Sequence, residues 1–130
     1  MMSDKTGFDA YKNSNVEVQA AASSPIEQVL MLVNGFIDEI DRVEGHISAK
    51  NNERKTESVA RCMRLLDGLD ASLDMEKGGA LAQQLRDYYN FMGTQVYDAS
   101  VKNDVEMLGP VREVMRNLKE GWEGIAQSAA

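Results

Sequence analysis

Apolar residues return every three or four positions through four successive runs of this chain, and each run stops at a short polar break. That spacing lines side chains along one face of an α-helix, so each run predicts an amphipathic helix that must bury its stripe against another. The first run opens at Ser24-Pro25, an N-cap followed by a residue whose fixed φ suits a first turn. It continues through Ile26, Val29, Leu30, Val33, Ile37, Ile40, Val43 and Ile47. Gly35 in its middle predicts close approach of a neighbouring helix or of a bound chain.

Ser48 to Asn52 forms the first break, and the second run carries Val59, Cys62, Met63, Leu66, Leu69 and Leu73. Asp74 to Gly79 ends it, because a glycine pair is a strong breaker. The third run puts Leu81, Leu85, Tyr88, Met92 and Val96 on one line, with Tyr89, Phe91 and Tyr97 beside it. Ser100 to Asp104 breaks the pattern again, and Asn103 or Asp104 is placed to cap the fourth run: Leu108, Val111, Met115, Leu118, Trp122 and Ile125. Pro110 falls in the second turn of that helix as read from the pattern, which predicts a bend or a frayed start. Short connections make consecutive helices antiparallel neighbours, so the expected fold is all-α, an antiparallel up-down four-helix bundle over residues 24–127. Residues 1–23 lack the pattern and are read as an N-terminal mobile arm or short helix; the tail from Gln127 is expected to fray.

Charge and reactive residues narrow the function. The net charge is −7 and the lysines and arginines are interspersed with acids, as in Glu53-Arg54-Lys55-Thr56-Glu57, which disfavours nucleic acid and anionic membrane as partners. One cysteine and one histidine provide neither a disulfide nor a usual zinc site. No bilayer-length apolar run, secretory leader or phosphate-binding glycine loop occurs, so the chain reads as cytosolic, without cofactor, metal or catalytic residues. A histidine phosphotransfer bundle is the enzyme-like alternative, with His46 as the reactive residue and Lys50 four positions on. Against it, His46 falls at a helix end and lacks a nearby following glycine.

The apolar stripes are wider than a bundle needs. Met31, Leu32 and Phe36, then Tyr89, Phe91 and Tyr97, then Met107 and Val114 broaden them, and the chain holds 8 methionines, whose flexible thioethers suit adaptable grooves. The excess predicts a polypeptide partner; a structural homodimer would use the same surface equally well.

The order of motifs resembles the flagellar export chaperones of the FliS family. The likeness runs from Ala10-Tyr11 through Ser24-Pro25, Met31-Leu32-Val33-Asn34-Gly35 and Leu73-Asp74-Met75-Glu76-Lys77-Gly78-Gly79. It goes on through Leu85-Arg86-Asp87-Tyr88-Tyr89-Asn90-Phe91-Met92 and Ala99-Ser100-Val101-Lys102-Asn103-Asp104 to Trp122. Gly93-Thr94-Gln95 stand where many members have two arginines and a leucine. The resemblance implies a cytosolic holdase for the disordered C-terminal segment of flagellin, which wraps around the bundle and partly folds on it, and docking of the complex on the export gate of the flagellar secretion apparatus. It further implies that the N-terminal segment around Tyr11 packs near the client groove. The client contacts expected on this basis are Tyr11, Met31, Asn34, Gly35, Tyr88, Phe91, Met92, Asn103 and Asp104.

Overall fold

The structure, a computed structural model, describes residues 24–129; the expected arm or short helix over residues 1–23, Tyr11 included, lies outside the described residues. Four α-helices follow one another: α1 (Pro25–Ser48), α2 (Asn52–Ala71), α3 (Met75–Lys102) and α4 (Leu108–Ala129), with a 3-10 turn at Val105–Met107 before α4. Each helix packs mainly on its neighbours in a ring, α1 on α2 and α4, α3 on α2 and α4, while α1 and α3 sit on the diagonal. This is the all-α bundle that the periodicity predicts.

Local chemistry sets the ends. Ser24 Oγ accepts from Glu27 N while the Glu27 carboxylate accepts from Ser24 N, a reciprocal capping box ahead of Pro25. Asn51 caps α2 by accepting from Arg54 N at 3.1 Å, and Asp74 caps α3 by accepting from Lys77 N at 3.0 Å, each through a side-chain oxygen. Asn103 ends α3 in the left-handed conformation, φ 52° and ψ 44°, which asparagine tolerates better than most residues. The Lys55 ammonium crosses from α2 to close that end, donating to the Ser100 carbonyl at 2.7 Å and to Asn103 Oδ1 at 2.9 Å.

The α1–α2 interface is built by interlock. A Cβ at Gly35 would meet Leu65 at 3.4 Å, and one at Gly68 would meet Leu32 at 3.3 Å, so each helix seats a leucine over the other's glycine. The same antiparallel register brings Arg61 Nε to within 3.1 Å of Glu39 Oε2. The close approach expected at Gly35 is therefore that of a neighbouring helix. Beneath it the core runs through Val33, Phe36, Ile40 and Val43 of α1, Cys62 and Leu69 of α2, Met92 and Val96 of α3, and Leu108, Val111 and Met115 of α4.

Several sequence expectations are corrected. Phe36 is not surplus apolar surface but the largest fully buried side chain. The buried line of α3 is Leu85, Tyr89, Met92, Val96 and Ala99; Tyr89 is 4% exposed, whereas Tyr88 is 37% exposed. The difference is one of phase: adjacent residues point about 100° apart on a helix, and only packing against α2 chooses between two neighbouring tyrosines. Asp74 to Gly79 is not a plain break, because α2 has already ended at Ala71 and Met75 begins α3. The break inside α3 is a kink at Gly79, φ 51° and ψ −126°, a conformation that disfavours any side chain. Ser100 lies within α3, buried. Pro110 is the third residue of α4, where no intrahelical acceptor is required of its nitrogen, so no bend results and the helix is continuous.

Candidate functional site

The ring of helices is not closed equally. Of its four seams, α3–α4 is the most loosely packed. Two points fix its register: at one end Gln95 Nε2 donates to the Met107 carbonyl at 3.2 Å, and at the other Leu81 and Trp122 line the same cleft. Helical spacing then sets Tyr88 and Phe91 on the stripe of α3 that includes Leu81 and Gln95, facing the flank of α4 that carries Val114, Leu118 and Ile125. Leu81 is 62%, Phe91 42% and Ile125 53% exposed, so large apolar side chains stand in solvent along this seam. Gln84 Nε2 donates to the Tyr88 hydroxyl at 3.1 Å, holding the ring lengthwise on the helix surface. Such an exposed apolar strip is a surface on which an amphipathic helix can lay its apolar face.

The predicted contact residues divide among several places. Tyr88 and Phe91 come together on the open seam. Met31, half-buried, and Asn34, exposed, lie on α1, the diagonal partner of α3, and do not join them. Gly35 is covered by Leu65, and Met92 has no exposed surface, so both serve the packing of the bundle. Asn103 and Asp104 are exposed at one end, where they terminate α3: Asp104 N donates to the Ala99 carbonyl and its carboxylate caps Glu106 N. Leu81, Ile125 and Trp122 also lie along this candidate surface and are not among the expected contacts; Leu81 stands two turns before Tyr88 on the same face.

Charged groups serve structure more visibly than chemistry. Glu39 is 3% exposed, and its Oε2 accepts from Arg42 Nη1 at 2.9 Å and from Arg61 Nε at 3.1 Å. Arg61 Nη2 reaches Ser58 Oγ, which is fully buried. Burial pushes the neighbouring Cys62 thiol up to about 12, with the Glu39 charge adding to the effect, so it is no nucleophile. Burial likewise pushes the Tyr89 phenol up to about 12, helped by Asp70. On the opposite face Arg112 ties α4 to α1 through Asp41 at 3.0 Å and through Glu44. His46 sits half-buried in the last turn of α1. Among the described residues no group of His, Cys, Asp and Glu is arranged to hold a metal ion, and no helix is long and apolar enough to cross a membrane.

The family model described as flagellar protein FliS matches residues 7–129. The chain belongs to the FliS family. Among its relatives is the flagellar secretion chaperone FliS of Vibrio cholerae, 34% identical over 118 residues, which span 91% of this chain and 87% of that protein. Its namesake in Salmonella typhimurium is 29% identical over 126 residues, 96% of this chain and 93% of the relative. The flagellar secretion chaperone FliS of Bacillus subtilis is 25% identical over 127 residues, 98% and 91% of the two chains. The FliS match spans the whole bundle, so the open α3–α4 seam and the kink at Gly79 both lie within the family's domain.

Proposed function

We propose that this FliS protein is an export chaperone of the bacterial cytosol. It binds the disordered C-terminal segment of flagellin, prevents premature polymerisation and delivers the subunit to the flagellar export apparatus. The observation that carries this reading is the uncovered apolar strip of the α3–α4 seam, with Leu81, Tyr88 and Phe91 in solvent on a domain of the FliS family. A disordered client loses conformational freedom on binding and needs apolar contact to offset it; aromatic rings supply that contact with few rotatable bonds of their own. Adaptable half-buried side chains such as Met31 and Met107 suit a client that folds as it docks. No nucleotide is needed, because a holdase acts by lowering the free concentration of its client.

Tyr88 and Phe91 are the principal contacts in this reading. Asn34 and Met31 extend the surface around the bundle, Asn103 and Asp104 act by shaping its end, and Tyr11 acts from the segment that precedes Ser24. Isothermal titration of the full chain with a peptide of the flagellin C-terminal segment tests the proposal. Saturable binding with a Kd below roughly 10 µM is expected, and absence of heat and complex at that concentration refutes it.

A further inference from the structure

Glu39 stands on the buried line of α1, between Phe36 and Val43, where the pattern calls for an apolar residue. Its Oε2 accepts from Arg42 Nη1 at 2.9 Å and from Arg61 Nε at 3.1 Å, while Oε1 has no donor among the described residues. Arg61 Nη2 reaches on to the buried Ser58 Oγ at 3.3 Å. Such a network is a poor way to stabilise a core. Desolvating a carboxylate and a guanidinium offsets much of their attraction, and the unmatched oxygen adds a further cost. Well-packed apolar residues of similar size would hold the two helices at least as well.

What the network adds is a choice between arrangements. The short connection at residues 49–51 makes α1 and α2 neighbours without saying which flank of α1 faces α2. Apolar contact alone says little more, because Leu32 and Ile37 flank the buried line on opposite sides and both pack partly buried against the core. Turned about its axis so that the Ile37 flank met α2, α1 would still present apolar side chains to it, but Glu39 would be left inside without Arg61. A mis-seated leucine loses contacts; a mis-seated buried carboxylate loses its counter-ion, which costs far more. We propose that Glu39 and Arg61 select which flank of α1 receives α2, stabilising the observed arrangement little and penalising its alternative heavily. The opposite flank is thereby left to α4, where Asp41 and Glu44 meet Arg112.

The full-length protein carrying Glu39→Leu and Arg61→Leu together tests this without any ligand. Its urea midpoint is expected to equal or exceed that of wild type, although Arg61→Leu alone lowers it. Its 1H–15N correlation spectrum is expected to gain a second set of resonances from α1 and α2, the second arrangement rising from under about 1% of molecules to tens of per cent. Overhauser contacts of the Leu65 methyls tell the two forms apart, to Gly35 in the first and to the Ile37 flank in the second. Arg112→Met, which removes the ion pairs on the other flank of α1, is expected to keep a single set. Doubling there as well would mean that any lost ion pair suffices, and would overturn the proposal. A single set from the double variant, with Leu65 still on Gly35, overturns it too. So does a double variant less stable than wild type, which would make the network an ordinary stabiliser of the core.

Discussion

Across the α1–α2 interface leucines seat over glycines and a carboxylate is buried between two arginines; across the α3–α4 seam aromatic rings of α3 stand in solvent. Both regions are seams between antiparallel neighbours. They differ in what closes them. Gly35 and Gly68 let α1 and α2 approach until Leu65 and Leu32, both half-buried, pack over them. On the stripe of α3 that faces α4, Leu81, Tyr88 and Phe91 are bulky, and nothing small opposes them from Val114, Leu118 or Ile125. The first interface uses its apolar residues to hold the bundle together, while the second leaves its own in solvent. A bundle with one tight side and one open side can lose contacts on the open side without losing its fold.

That contrast is easiest to break on the tight side. Phe36→Ala removes the largest fully buried side chain, and a loss of about 3–5 kcal/mol of unfolding free energy is expected in a urea titration. A cost below roughly 1 kcal/mol would mean that the α1–α2 side is not the stability centre. Next in size, Arg61→Met leaves the buried Glu39 carboxylate with Arg42 as its remaining ion-pair partner. Breaking a buried ion pair costs about 3–5 kcal/mol; Arg42 persists and Arg61 is itself partly exposed, so about 2–3 kcal/mol is expected. A double-mutant cycle with Glu39→Gln measures the pair itself.

The chain announces much of this architecture and conceals a definable part. Ser24-Pro25, Asn51 and Asp104 mark helix starts through side-chain oxygens in sequence-local geometry, which is why they can be read directly. The choice of Tyr89 over Tyr88 for the core depends on the rotational phase of α3 against α2, a long-range property that local spacing does not encode. Glu39 was invisible for a related reason. It occupies the inward position between Phe36 and Val43, and an acid there reads as a break in the stripe until Arg61 is seen opposite. The kink at Gly79 shows the converse, since a glycine pair signals a break without saying on which side of it the helix resumes. For the site, the aromatics of α3 were legible as surplus. Their grouping with Leu81 and Ile125, and their separation from Met31 and Asn34, required the packing order of the helices.

Alkaline pH offers a smaller effect on the same contrast. Cys62 titrates near 12 in the folded protein against an ordinary 9.0, and Tyr89 near 12 against 10.0, each because burial penalises its charged form. Above pH 9 the unfolded chain loses these protons while the folded chain keeps them, so stability falls as pH rises. Their contribution is fully present below about pH 9 and is lost progressively towards pH 12. Cys62→Ala is expected to flatten the part of that decline between pH 9 and 10, followed by denaturant melts at each pH. An unchanged slope would show that the thiol is not held in the core.

The smallest expected effect on stability is on the open side, and it coincides with the largest expected effect on binding. Tyr88→Ala with Phe91→Ala removes two partly exposed rings, and the midpoint of unfolding is expected to stay within the range of surface substitutions, about 0.5 kcal/mol each. Calorimetric titration of that double variant against wild type with the flagellin C-terminal peptide is the most direct test of the account. It predicts that wild type binds and that the variant, still folded, loses affinity by about a hundredfold, the scale of two aromatic hot-spot residues. Equal binding by the two proteins would contradict it and remove the α3–α4 seam as the client surface.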